Sequence, residues 1–165
     1  MEGCLPALAM NPWESTVIIV EDDPEEAFLL RRAFERANVK NPIQVFQDGQ
    51  EVIDYLGKLE SHPGKAFTEA PPGLMLLDLK LPRRTGFEVL EWLRRRARLR
   101  SLVVVVLANS LQTSDINRAY ALGCNSYLAK PGNADQMTEM VRLIHNYWLL
   151  LNINPDLNYL PNPFP

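Results

Sequence analysis

A chain of 165 residues fits one domain with a well-buried core, and nothing in its composition calls for a second. The net charge of −3 and pI near 5.4 supply no overall pull toward nucleic acid or an acidic membrane, so neither is expected as a partner. Only two cysteines occur, Cys4 and Cys124, without a CxxC pair or a neighbouring histidine, which argues against a disulfide framework or a zinc site and for a reducing, cytoplasmic setting.

The run from Cys4 to Met10 is too short to span a membrane and follows Glu2 rather than a basic residue, unlike a signal peptide. Residues 1–15 are expected to form a flexible leader. From Thr16, the β-branched run Val17, Ile18, Ile19, Val20 reads as a buried strand, with Glu21, Asp22, Asp23 and Pro24 at its end. Asp23 can cap the next helix, with Pro24 at its first position and Glu26 in capping-box spacing. Ala27, Leu30, Phe34 and Ala37 make its apolar stripe. Ile43 to Phe46 gives a second strand, and Gln50 toward Leu59 a second helix with Val52, Ile53, Leu56 and Leu59 inward.

Residues 60–73 hold three prolines and two glycines and read as a long surface loop. Leu74, Met75, Leu76 and Leu77 then form a third strand covered on both faces, and Asp78 stands where it ends. Thr85 can cap a helix carrying Phe87, Val89, Leu90 and Leu93. The arginines at its far end, Arg94, Arg95, Arg96, Arg98 and Arg100, are expected to form a solvated structural face. Leu102 to Leu107 gives a fourth strand ending at Ala108, Asn109 and Ser110. Ser114 is expected to cap a helix from Asp115 to Leu122, stopped by Gly123. Ser126 to Ala129 is a short fifth strand ended by Lys130 and Pro131. The last helix, about Asp135 to Asn152, carries one stripe of Met137, Val141, Ile144, Trp148 and Leu151 and a second of Met140, Leu143, Tyr147 and Leu150. One sheet face cannot easily cover both. The Pro-rich tail from residue 153 cannot form regular structure, although Leu157, Tyr159, Leu160 and Phe164 could dock on a partner or on the chain itself.

Strand and helix alternate five times, which implies an α/β fold with a parallel sheet, helices on both faces and right-handed crossovers. That architecture brings the strand ends to one edge: Glu21 and Asp22, then Asp78, Ala108 and Lys130. Three carboxylates in one crevice repel each other unless a cation sits among them, and hard oxygen ligands suit Mg²⁺. Lys130 can neutralise a phosphoryl group, and Asp78 can act as the nucleophile of a phosphoryl transfer. Taken singly, Glu21 and Asp22 could be helix-cap acids and Lys130 a solvated turn lysine. Their joint placement is what favours a site.

The stretches VIIVEDDP, LLDLKLPRRTG and SYLAKPG, in this order and spacing, resemble the three signature blocks of the receiver domain of two-component response regulators. The resemblance covers Thr16 to Tyr147 and implies a doubly wound, flavodoxin-like five-stranded sheet of order 2-1-3-4-5, in a receiver domain over residues 16–152. It implies that Asp78 takes a phosphoryl group from a phosphohistidine on a sensor histidine kinase. It also implies that Asp22, Asp78 and the backbone carbonyl of Lys80 bind Mg²⁺ with Glu21 assisting through water, that Lys130 pairs with the phosphate, and that Tyr127 is the switch aromatic. The long insertion, the absence of an output domain and the extended last helix look most like single-domain regulators paired with bacterial phytochromes. These are similar in forming dimers, and a homodimer through the last helix and tail is expected here.

One position departs from the family pattern. At the end of strand four, where the family has Thr or Ser, this chain has Ala108, which cannot hydrogen-bond a phosphoryl oxygen. The loss corresponds to about 1.5 to 3 kcal/mol of phospho-state stabilisation unless Asn109, Ser110 or water substitutes, and the backbone N–H of Asn109 remains as a phosphate contact. Switching is therefore expected to be weakened or rewired. Ala108 keeps open the alternative of a degenerate receiver acting only as a dimeric interaction module. A Mg²⁺ phosphohydrolase would want a second acid where Lys80 stands. A flavodoxin-like cofactor site would want a hydroxyl- and glycine-rich loop where Glu21, Asp22 and Asp23 stand.

Overall fold

The five apolar stretches form β1 (Thr16–Val20), β2 (Ile43–Phe46), β3 (Pro72–Leu77), β4 (Val104–Ala108) and β5 (Ser126–Ala129) of a computed structural model that describes residues 15–60 and 71–157. They lie in the order β2-β1-β3-β4-β5 with every neighbouring pair parallel, the expected doubly wound sheet. Between and after them run α1 (Pro24–Arg36), α2 (Gly49–Glu60), α3 (Gly86–Arg94), α4 (Thr113–Ala121) and α5 (Ala134–Ile144), the last continuing as a π-helix over His145–Leu151. The expectations placed on the leader before Ser15, on most of the Pro-rich loop and on Tyr159, Leu160 and Phe164 lie outside the described residues.

Because side chains alternate along a strand, each strand feeds two cores. Val17, Ile19, Leu74, Leu76, Val105 and Leu107 pack with Leu30, Phe34, Met137 and Val141 of α1 and α5. Ile18, Val20, Met75, Leu77, Val104 and Val106 pack with Val52, Leu56, Val89, Leu90 and Ala119 of α2, α3 and α4. Both faces are therefore covered, and the reactive groups are left to the strand ends.

Several local expectations are corrected. Pro72 and Gly73, read as the end of the long surface loop, open β3, with Pro72 opposite Thr16 where the register shifts; a strand tolerates Pro at its first residue. Leu102 and Val103 are buried but precede β4. Helix α4 starts after Gln112, not at a Ser114 cap, and Gln112 makes no side-chain cap bond. The Ser110 hydroxyl closes the turn earlier instead, accepting from the Gln112 N–H at 3.3 Å and donating to Asp115 Oδ2 at 2.7 Å. Two of the five arginines are not a solvated face. Arg94 donates to the carbonyls of Gly123, Arg100 and Leu102, and the buried Arg98 donates to the Leu157 carbonyl at 3.2 Å. Gly123, at φ +91°, leaves α4 in the left-handed region, and a Cβ there would stand 2.8 Å from Arg94 Nε.

The last helix runs its expected length, but its end departs from α geometry. The Asn152 N–H donates to the Tyr147 carbonyl at 2.7 Å, an i→i+5 bond that takes up about one more residue per turn than an α-helix. Trp148 still packs half-buried against the α1–α5 core, but the fully buried position slips from the predicted Leu151 to Leu149, which neither stripe contains. Leu149 is 3% exposed and Leu151 76%.

Candidate functional site

Three ladder bonds continue one step past the strands and set the site. The Glu21 N–H donates to the Phe46 carbonyl at 2.9 Å, Asp78 N–H to Val20 at 3.0 Å, and Lys130 N–H to Ala108 at 3.0 Å. Each functional residue is thus the first beyond its strand, held by the neighbouring strand. Gly86 completes the loop after β3: its N–H donates to the Leu79 carbonyl at 3.0 Å, and a Cβ there would stand 2.3 Å from the Asp78 carbonyl oxygen.

Glu21, Asp22 and Asp78 come together as expected, their nearest carboxylate oxygens all within 4.8 Å of one another. Glu21 and Asp78 are buried and Asp22 is exposed. Asp78 Oδ1 accepts from the Leu79 N–H at 2.7 Å and the Lys80 N–H at 3.4 Å, while its Oδ2 lies 3.4 Å from Lys130 Nζ. Lys130 is not a solvated turn lysine, since its side chain is 6% exposed and its ammonium is 2.6 Å from Glu21 Oε2. The surrounding crevice, about 730 Å³, is also lined by Lys80, Ala108, Asn109, Ser110, Phe87 and Arg118.

The electrostatics follow from burial. Desolvation pushes the Glu21 carboxyl up to about 7, with the Asp78 charge adding to it and Lys130 opposing. Burial also raises Asp78, against Lys130 and the backbone N–H groups of Lys80 and Leu79. For Lys130, burial works to lower the pKa, but hydrogen bonds to Glu21 and Glu26 and the charge of Asp78 outweigh it and raise the group. Hard carboxylate oxygens this close, with one of the three acids open to solvent, fit a hard divalent cation.

Two members of the site were missed by sequence reasoning, Glu26 and Arg118. Capping-box spacing predicts that Glu26 turns back to the Asp23 N–H, but that N–H is met by Glu21 Oε1 at 3.2 Å, and Glu26 Oε2 forms an ion pair with Lys130. Asp23 caps α1 as expected, accepting from the Glu25 and Glu26 N–H groups. The signal that could have found Glu26 is its place in the first turn of a helix that opens directly after the acids ending β1. Arg118, also missed, stacks over the Phe87 ring at 4.2 Å.

Comparison with known proteins agrees with this arrangement. Residues 17–142 match the model of the response regulator receiver domain. The chain belongs to the response regulator receiver family. It is 40% identical over 139 residues to the "Probable methanogenesis regulatory protein FilR2" of Methanothrix harundinacea, covering 84% of this chain and 86% of that one. The fold is similar to that of the phosphorylated cyanobacterial phytochrome response regulator RcpA, with TM-score 0.75, 30% identity and coverage of 86% and 99%. It is also similar to the Mn²⁺-bound form of Rcp1, a Synechocystis response regulator, with TM-score 0.72, 28% identity and coverage of 86% and 99%. This receiver's relatives thus include a phytochrome response regulator.

Within the receiver, Ala108 is 2% exposed at the end of β4, part of the α2–α4 core. Asn109 beside it is exposed and lines the crevice. Tyr127 is half-buried against that same core, and its hydroxyl donates to the Ser110 carbonyl at 2.8 Å. The β4–α4 loop is therefore tied to Tyr127 through Ser110, two residues past Ala108.

Proposed function

We propose that this receiver, spanning residues 16–152, is the cytoplasmic phosphoacceptor of a two-component relay, with Asp78 as the accepting residue. The observation that carries the reading is the carboxylate of Asp78, held by two backbone N–H groups on one oxygen and facing Lys130 with the other, beside Glu21 and Asp22. The donor is a phosphohistidine of a sensor histidine kinase, and the phytochrome regulators among its relatives support a phytochrome in that role. Asp78 attacks phosphorus: an O–P bond forms, the P–N bond breaks, and the histidine, protonated on its other ring nitrogen, leaves as neutral imidazole. Hydrolysis reverses the state when water adds to phosphorus and the O–P electron pair returns to the carboxylate, releasing inorganic phosphate.

Mg²⁺, when bound, neutralises part of the charge on the phosphoryl oxygens. Asp22 and Asp78 would hold it, with the Lys80 backbone carbonyl, and Glu21 would assist through water. Lys130 supplies the fixed positive charge facing the phosphoryl group, and the Asn109 N–H is the backbone donor at the end of β4. Tyr127 reports the change, with Ser110 as its link to the β4–α4 loop in place of the hydroxyl missing at Ala108. A second reading keeps support from Ala108 itself, that of an interaction module without a switch. In either reading the exposed apolar side chains of the last helix form the surface of a homodimer.

Acetyl phosphate with Mg²⁺ tests both, read by intact mass and by sedimentation on wild type, Asp78→Asn and Ala108→Thr. Wild type should gain one phosphoryl group, Asp78→Asn none, and Ala108→Thr should show the larger conformational response. No Mg²⁺-dependent gain, or a gain that survives Asp78→Asn, would leave the interaction module as the better reading. Equal responses of wild type and Ala108→Thr would remove the claim that switching is weakened.

A further inference from the structure

Lys130 is the residue that has to meet a phosphoryl group on Asp78, yet Asp78 has the weakest hold on it. An ammonium has three protons to give. One goes to Glu21 Oε2 at 2.6 Å and one to Glu26 Oε2, while Asp78 Oδ2 stands at 3.4 Å, beyond ordinary hydrogen-bond length. The two competing acids differ in kind. Glu21 is buried, belongs to the carboxylate triad, and is fixed through its other oxygen by the Asp23 N–H. Glu26 stands outside the triad, in the first turn of α1, with about a third of its side chain exposed. A carboxylate there is favoured by the helix dipole and by water without the lysine, so it is the partner that can release Lys130 at small cost.

We infer that Glu26 is a positioning residue for Lys130: it draws the ammonium away from Asp78 in the unphosphorylated receiver and so sets how strongly the phosphorylated state is favoured. The inference rests on the phosphoacceptor reading above. A phosphoryl group on Asp78 has to win the ammonium from Glu26, and the pair that is broken weighs against the phosphorylated form. Removing the charge at residue 26 should therefore favour any tetrahedral anion bound at Asp78. Glu26→Gln is the informative variant, since its amide oxygen can still accept from the ammonium while the charge is gone.

The test is equilibrium binding of beryllofluoride with Mg²⁺, followed by fluorine NMR, on wild type, Glu26→Gln, Lys130→Met and the double variant, with intact mass after acetyl phosphate run alongside. Glu26→Gln should bind beryllofluoride about fivefold more tightly than wild type, the size of one partly exposed ion pair. The gain should vanish when Lys130 is Met, because the effect runs through the ammonium. A merely structural Glu26 would shift thermal stability and leave the binding ratio unchanged. Equal affinity of wild type and Glu26→Gln, or a gain that persists in the Lys130→Met background, overturns the inference while leaving the phosphoacceptor intact. Wild type that neither binds beryllofluoride nor gains mass overturns both. Should Lys130→Met not fold, Lys130→Gln serves in the same cycle.

Discussion

Glu21 shows how one buried acid ties the site to the stability of the whole chain. Its carboxyl is raised by burial from the usual 4.5 to about 7, so over that interval the folded receiver holds a proton that the unfolded chain has released. For an acid raised in this way, stability is fully present below pH 4.5 and falls as pH rises toward 7. The loss is at most about 3 kcal/mol, because Lys130 shares the charge. His145 runs the other way: burial lowers it, and its contribution is lost as pH falls below 6.5. Comparing wild type with Glu21→Gln cancels that background. In EDTA, urea unfolding should show wild type losing stability between pH 5 and pH 8 relative to Glu21→Gln, and saturating Mg²⁺ should restore it by binding only the folded form. Parallel pH curves for the two proteins would show that Glu21 does not carry the shift. At the same scale, Glu21, Asp22, Asp78 and Lys130 were legible in the sequence because each directly follows a strand, or stands one residue further on, and strand ends can be read from apolar runs. Glu26 was not, because its spacing is equally that of a capping box, and only the folded position of Lys130 decides between the two.

Among the elements, the last helix separates what periodicity can tell from what it cannot. Met137, Val141 and Ile144 are buried as their spacing predicts, and the agreement ends where the winding changes to π. No local signal in HNYWLLL marks that change, since every residue in it suits an ordinary helix as well. The slip makes a test of the winding itself. Leu149→Ala should cost about 2 to 5 kcal/mol in urea unfolding, as a core leucine does, whereas Leu151→Ala should stay within about 0.5 kcal/mol. The reverse order would mean that the helix keeps α phase in solution. The start of α4 was misread for a similar reason: Ser114 has the chemistry of a cap, but the Ser110 hydroxyl, four residues earlier, already closes the turn.

At the scale of the molecule, strand order and sheet edge were readable because alternation of strand and helix leaves few topologies, while the surface is readable only in part. Leu143, Tyr147, Leu150, Leu151 and Ile153 are all more than two-fifths exposed on one segment, which is much apolar surface for a chain to leave to water. If it is the dimer surface, sedimentation at micromolar concentration should give a dimer for wild type and a monomer for Leu143→Lys combined with Leu150→Lys. A monomeric wild type would dispose of the dimer. The opposite end of the sheet is organised differently. Arg94 gathers the carbonyls that leave α3 and α4, and Gly123 has no side chain so that the guanidinium can lie against it. Helix α4 is thus held at its tail, where Arg94 meets the Gly123 carbonyl, and at its head, where the Ser110 hydroxyl donates to Asp115 in its first turn. Ser110 is a shared joint: its carbonyl holds Tyr127 of β5 and its hydroxyl holds Asp115 of α4, so neither element can shift against the β4–α4 loop without breaking one of these two bonds.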